Sequence, residues 1–204
     1  MPPDTPTREA PHTPARRSRL TPEREGELYA AVLEMLREVG YDGLTMDALA
    51  SRTRSSKATL YRQWKGKPEL VVSALRHTKP ISLSDIDTGS LRGDLLEMVR
   101  CTKDDDVERD SALMRGLGRA VHDNPDLHQA LRELMIDPEI TGLNAMLQRA
   151  VDRGELDANA PATAFVPSML VGVYVARPLV EDRHVDAEYL TRYFDAVVFP
   201  ALGI

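Results

Sequence analysis

The stretch that most constrains this chain runs from Thr45 to Leu70, TMDALASRTRSSKATLYRQWKGKPEL. Thr45 predicts an N-cap for a helix over Met46 to Arg52, with Met46, Leu49 and Ala50 on one inward face. Thr53-Arg54-Ser55 reads as a tight polar turn. A second short helix follows from about Ser56 to Gln63. Ala58, Leu60, Tyr61 and Trp64 can anchor it, while Lys57, Thr59, Arg62 and Gln63 can face out. Lys65-Gly66-Lys67-Pro68 breaks the chain, and Pro68 opens a further helix through Leu70, Val71, Ala74 and Leu75 to about His77. A short, basic, hydroxyl-rich helix set on the surface by a turn is the shape that enters a DNA major groove.

The rest of the chain reads as helix. Thr21-Pro22 starts the first one, with Glu23 near its positive end. Leu28, Ala31, Val32, Met35, Leu36 and Val39 then recur at helical spacing until Gly40. Tyr41-Asp42-Gly43 is a turn and Leu44 tucks inward. Lys79 to Thr88 reads as a linker or loop. Beyond it, helices are expected over Ser90–Lys103, Val107–Asp123, Pro125–Met135, Pro138–Arg153, Ala160–Glu181 and Ala187–Ala201. Asn124-Pro125 and Asp137-Pro138 look like two starts that run nearly on from each other. No alternating strand pattern interrupts them. The fold class is all-α: an N-terminal three-helix helix-turn-helix domain over residues 21–79, and a C-terminal helical ligand-binding and dimerisation domain over 80–204.

Charge separates the two parts. Between Gly43 and Lys79, eight Lys/Arg face two Asp/Glu, a net +6; from Ile81 onward, 12 face 22, a net −10. The basic part suits phosphate, and the same field keeps the acidic part off DNA. Met1 to Leu20 carries five prolines and reads as a disordered tail ending in Ala-Arg-Arg-Ser-Arg. That Arg cluster can lie along a groove, although a solvated tail is the plainer reading. There is no apolar leader, and no apolar run approaches the roughly 18 residues of a membrane span. The single Cys101 leaves no intramolecular disulfide and no Cys-based zinc site. These features fit a cytoplasmic protein with no membrane partner.

The residues resemble the TetR family of bacterial transcriptional repressors. The likeness is carried by Gly40-Tyr41-Asp42-Gly43-Leu44-Thr45-Met46, Ala48-Leu49-Ala50, Ser56 to Trp64 and Lys67-Pro68-Glu69-Leu70. Arg-Gly-Glu-Leu at 153–156 adds a smaller likeness. Trp64 and Gln63 stand where Phe and His are commoner. Arg54 stands where Gly is usual and Ser55 where an aliphatic residue is usual. Arg54 must therefore accept a glycine-like backbone or reshape the turn.

The resemblance implies that Lys57 and Ala58 lie nearest the base edges: Lys57 can donate to guanine, and Ala58 can touch a thymine methyl. Thr59 and Arg62 can read or position. Thr45, Ser55, Ser56, Tyr61, Gln63 and Lys67 are expected to hold phosphates. Trp64 is assigned to packing, and Thr45 is first a helix cap.

In the second region the residues to search for an effector cavity are Met114, Leu117, His122, His128, Leu131, Met135, Met146, Phe165, Met169, Tyr174 and Arg177. Adaptable Met and a few polar groups suit an apolar small molecule. Ordinary helical core is the plainer reading for any one of them. His122 and His128 are poorly spaced for a metal, and Asp104-Asp105-Asp106 reads as a solvated helix end. No metal and no cofactor is expected. The last two helices are apolar on more than one face, so Phe165, Met169, Val173, Tyr193 and Val197 are assigned to a four-helix dimer seam.

The expected function is a ligand-responsive repressor that binds a palindromic double-stranded operator as a homodimer. Its recognition helices would lie roughly 34–38 Å apart to meet successive major grooves. A small-molecule effector would release the DNA by favouring another spacing. The alternative is a helical ligand-binding or adaptor dimer without specific DNA binding. No G-x-S-x-G, H-E-x-x-H or phosphate-loop motif points to an enzyme.

Overall fold

The computed structural model describes residues 20–78, 82–101, 113 and 117–204. Most of the Pro-rich tail with its Arg cluster, Lys79, the Asp104–Asp106 run and Met114 fall outside these residues. Leu20, read as the end of the tail, packs half-buried against the first core.

Helix α1 spans Pro22–Gly43, with the Thr21 side chain accepting from Arg24 N. Gly40 interrupts its regular path at φ 70°, a conformation that costs glycine little. The helix-turn-helix pair is α2 (Met46–Arg52) and α3 (Lys57–Gln63), followed by α4 (Lys67–His77). A short 3-10 turn at Leu83–Asp85 lies in the connection. Helix α5 runs Leu91–Arg100, starting one residue after the expected Ser90 because Ser90 is its cap; Thr102 and Lys103, the expected end, lie outside the described residues.

Residues 117–123 form helix α6. Then α7 (Pro125–Leu131), a π-helical turn (Arg132–Ile136) and α8 (Asp137–Asp152) follow one another without a break. Asp137-Pro138 is thus no fresh start. Pro138 has no N–H for the carbonyl four residues back, and its ring would crowd that carbonyl in a regular helix. The wider π turn just ahead of it relieves this. The same device recurs where the π turn Phe194–Val198 precedes Pro200, joining α10 (Ala187–Tyr193) to α11 (Phe199–Leu202). Before α9 (Val166–Glu181), residues Pro161–Phe165 take a 3-10 form, so the expected helix from Ala160 begins late.

Two hydrophobic cores result. The first joins Leu28, Val32, Leu44, Leu49, Leu60, Trp64, Leu70 and Val71 of the helix-turn-helix region to Leu117 and Ala120 on α6 and Leu127 on α7. The second gathers Leu91, Leu95, Met146, Val173, Leu190, Phe194 and Phe199 from α5 and α8–α11. The continuous rod through α7 and α8 links them. At Gly142 that rod touches the connecting segment so closely that a Cβ would lie 2.8 Å from Ser84 N.

One reading from sequence needs correction. Pro161–Glu181 is long and apolar enough to cross a membrane by length and composition, with mean hydropathy 1.4 in its best window. The scattered prolines and the single Arg177 obscure that run in the sequence. Phe165, Val171, Val175, Leu179 and Val180 leave a broad apolar surface there.

Candidate nucleic-acid interface

The recognition element is assembled from caps. Thr45 Oγ1 accepts from Ala48 N at 3.1 Å and starts α2; Ser56 Oγ accepts from Thr59 N at 3.1 Å and starts α3. Leu49, Leu60 and Trp64 are buried and fix the inner faces of the pair. Trp64 meets Tyr29 edge-on at 5.7 Å, as its packing role requires.

What remains outside is the expected face. Lys57, Ala58, Tyr61, Arg62 and Gln63 are exposed, and Thr59 is half-buried with its hydroxyl 2.8 Å from that of Ser56. Tyr61 is 53% exposed, so its ring is not a core aromatic. No carboxylate lies between Ala48 and Pro68. Of the two that flank this stretch, Asp47 pairs with Lys57 Nζ at 2.5 Å and Glu69 accepts from Lys65 N at 2.8 Å.

Lys67 sits differently from the others. Its ammonium donates to the Tyr41 carbonyl at 3.0 Å and lies 4.1 Å above the Tyr41 ring. This ties the start of α4 to the end of α1. Burial, with Asp126 and Asp42 nearby, pushes the Tyr41 hydroxyl up to about 12. Ser55 is half-buried, and its hydroxyl accepts from Arg24 Nη2 at 3.4 Å.

Two supports were not legible in the sequence. Arg24, on α1, donates to the carbonyl of Thr53 in the helix-turn-helix turn. Arg52 makes a two-pronged contact with Glu38 at 2.6 and 2.7 Å, pinning α2 to α1. The Arg52 guanidinium holds the Glu38 carboxyl below its ordinary value, chiefly through that hydrogen bond. Neither pairing has a spacing signal, because the partners lie 29 and 14 residues apart. The turn itself solves the Arg54 problem by strain: Arg54 takes φ 51°.

The expected effector residues are not brought together. Leu117 is buried in the first core, with Leu131 and Met135 packed against it. Met146 is buried in the second core, with Met169 against it. His122, His128, Phe165 and Tyr174 are exposed. Arg177 is buried for a structural reason: it pairs with Asp186 at 3.2 Å and Glu181 at 3.5 Å, and lies 3.7 Å over the Tyr189 ring. An open cleft among the described residues is lined instead by Glu25, Tyr29, Ser73, Arg76, His77 and Leu134, where α1 and α4 meet the π turn.

The expected seam residues also divide. Phe165 and Val197 are exposed at 60% and 42%, Met169 and Tyr193 are half-buried, and Val173 is buried in its own chain's core at 6%. Val173 therefore does not belong to the outward face, which Val171, Val175 and Leu179 supply.

An exposed basic recognition helix on a helix-turn-helix pair, set on an all-helical body, defines a helix-turn-helix transcriptional regulator. Residues 28–74 match the family described as "Bacterial regulatory proteins, tetR family", and residues 85–197 match "Tetracyclin repressor-like, C-terminal domain". The chain belongs to the TetR family. It is 34% identical over 182 residues to an HTH-type transcriptional regulator of Mycobacterium tuberculosis, covering 88% of each chain. It is 35% identical over 133 residues to the DNA-binding transcriptional repressor TetR of Mycobacteroides abscessus, covering 65% of this chain and 70% of that one. The crystal structure of the TetR family transcription regulator SCO0332 superposes with a TM-score of 0.63 at 26% identity, covering 89% of this chain and 98% of that one. Salmonella enterica GusR shares the fold, with a TM-score of 0.65 at 19% identity over 89% of this chain and 96% of that one.

Proposed function

We propose that this regulator is a ligand-responsive repressor that binds a palindromic operator as a homodimer in the cytoplasm. The observation that carries the reading is the outward face of α3, where Lys57, Tyr61 and Arg62 stand exposed with no acidic residue on the helix. Lys57 and Ala58 read base edges. Thr59 and Arg62 read or position. Thr45, Ser55, Ser56, Tyr61, Gln63 and Lys67 hold the backbone. The similarity to the repressor of Mycobacteroides abscessus supports repression over activation.

The exposed apolar strip of α9 supports the dimer. Leu179 is 84% and Val180 78% exposed, more apolar surface than a lone soluble chain usually leaves contiguous. A second copy covers it and sets two recognition helices against successive major grooves. An effector acts by its differential affinity for two spacings of those helices. The path is short, because α4 packs on α1, α7 and the π turn.

Deleting the gene and measuring transcripts beside the bound chromosomal sites tests repression. Those transcripts rise on deletion if the reading holds. A fall identifies an activator, and no change at any bound site contradicts regulation by this protein.

A further inference from the structure

We propose that Arg54 is a phosphate-binding residue of the operator complex, and that the chain keeps a strained backbone in the turn in order to present it. The inference rests on the reading that the face of α3 meets DNA.

The first observation is the backbone. Arg54 has φ 51°, one of two non-glycine residues in the left-handed region among those described. Glycine takes this conformation freely, whereas a residue with a Cβ is strained there. Strain of this kind persists only where the surroundings enforce it, and it gathers at functional positions.

The second observation is that the surroundings do enforce it without using the Arg54 side chain. Ser55 N donates to Ala50 O at 2.9 Å, and Arg54 N donates to Ser51 O at 3.3 Å. Thr53 Oγ1 donates to Leu49 O at 2.8 Å. Arg24 reaches across from α1 to the Thr53 carbonyl and the Ser55 hydroxyl. Each of these bonds survives if the residue at position 54 is glycine.

The third observation is the side chain. It is exposed, with no hydrogen-bond or ion-pair partner among the described residues. It stands two residues ahead of the cap of the recognition helix, and Asp47, the nearest carboxylate in sequence, is already paired with Lys57. A cation with no ion-pair partner among the described residues, beside the helix read as entering the groove, finds its counter-charge on the DNA backbone.

The test compares Arg54→Gly, Arg54→Lys and the wild type for thermal stability and for operator binding across a salt series. Arg54→Gly is expected to unfold no earlier than the wild type, since strain is relieved. It is expected to bind about 3- to 10-fold more weakly at about 100 mM salt, uniformly across sequences, with a salt slope lower by about one unit per chain, about two for the dimer. Arg54→Lys is expected to keep the slope. Unchanged affinity and slope in Arg54→Gly, with the wild type binding its operator, overturns the assignment and leaves the DNA reading standing. A changed base preference without a changed slope also overturns it. A wild type that binds no duplex specifically overturns both.

Discussion

Lys57 Nζ lies 2.5 Å from Asp47 Oδ1, so the residue expected nearest the bases is held by a carboxylate from the first helix of its own motif. Both side chains are more than half exposed, at 57% and 65%, so the pair itself contributes little to stability. Its weight falls on DNA binding. Asp47→Asn removes a negative charge beside the proposed DNA-binding face and frees the ammonium, and should tighten operator binding a few-fold. Lys57→Ala should relax specificity at one base pair and weaken binding by about 1–3 kcal/mol. Binding-site profiles of both variants check this; an unchanged profile in Lys57→Ala removes it from base readout.

Lys67 is expected to hold a phosphate while resting on Tyr41. Lys67→Ala should weaken binding to all duplexes and lower the salt slope by about one unit per chain, about two for the dimer. A salt series on operator and random DNA measures it. An unaltered slope means that the ammonium is spent on the Tyr41 carbonyl and ring.

Asp94 is fully buried and organises the end of the segment that connects α4 to α5. It accepts from Thr88 N at 2.6 Å and Thr88 Oγ1 at 2.7 Å, with Arg149 at 3.5 Å and Arg153 at 4.0 Å. Asp94→Ala leaves two arginines beside an apolar hole and should destabilise the protein by about 3 kcal/mol. Denaturant unfolding checks this; a loss below about 1 kcal/mol would assign the network to the surface.

Asp186 caps α10, accepting from Tyr189 N at 2.7 Å, and pairs with Arg177. The Tyr189 N–H first, and Arg177 after it, hold its carboxyl below the ordinary value. A lowered folded value means stability present above the unfolded value near ~3.9 and lost as pH falls through the folded one. The melting temperature of the wild type should therefore fall more steeply below about pH 4 than that of Asp186→Asn, which keeps a cap but cannot titrate. Parallel curves would contradict the assignment.

Leu179→Glu places a charge on the exposed strip of α9 at a site 84% exposed in the single chain. Light scattering should give the mass of one chain instead of two, with an unchanged helical spectrum and no operator binding. A dimer that persists and binds would move the seam elsewhere.

The helix-turn-helix was legible because its signals are local. Thr45 caps as its side chain dictates, and Leu49, Leu60 and Trp64 fall inward by spacing alone, while Ser56, read as the first helical residue, is the cap of α3. The family-like phrase at Arg153–Leu156 has a contact to account for it: Glu155 accepts from Leu91 N at 2.6 Å, tying the end of α8 to the start of α5. The grouping of the expected effector residues was not legible. A spread of Met, His and aromatic residues over several helices says nothing about which of two cores each helix joins, and Leu117 and Met146 went to different ones. Pairings such as Arg24 with Thr53 depend on how α1 crosses the motif, which periodicity does not record.

The most direct measurement is selection of bound sequences from a random DNA pool by the purified protein at about 100–150 mM salt, where nonspecific binding is reduced. The expected result is an enriched inverted repeat whose half-sites lie about one helical turn apart, bound by two chains or a multiple of two. A folded dimer that enriches no sequence would contradict specific operator binding and leave a helical ligand-binding or adaptor protein in its place.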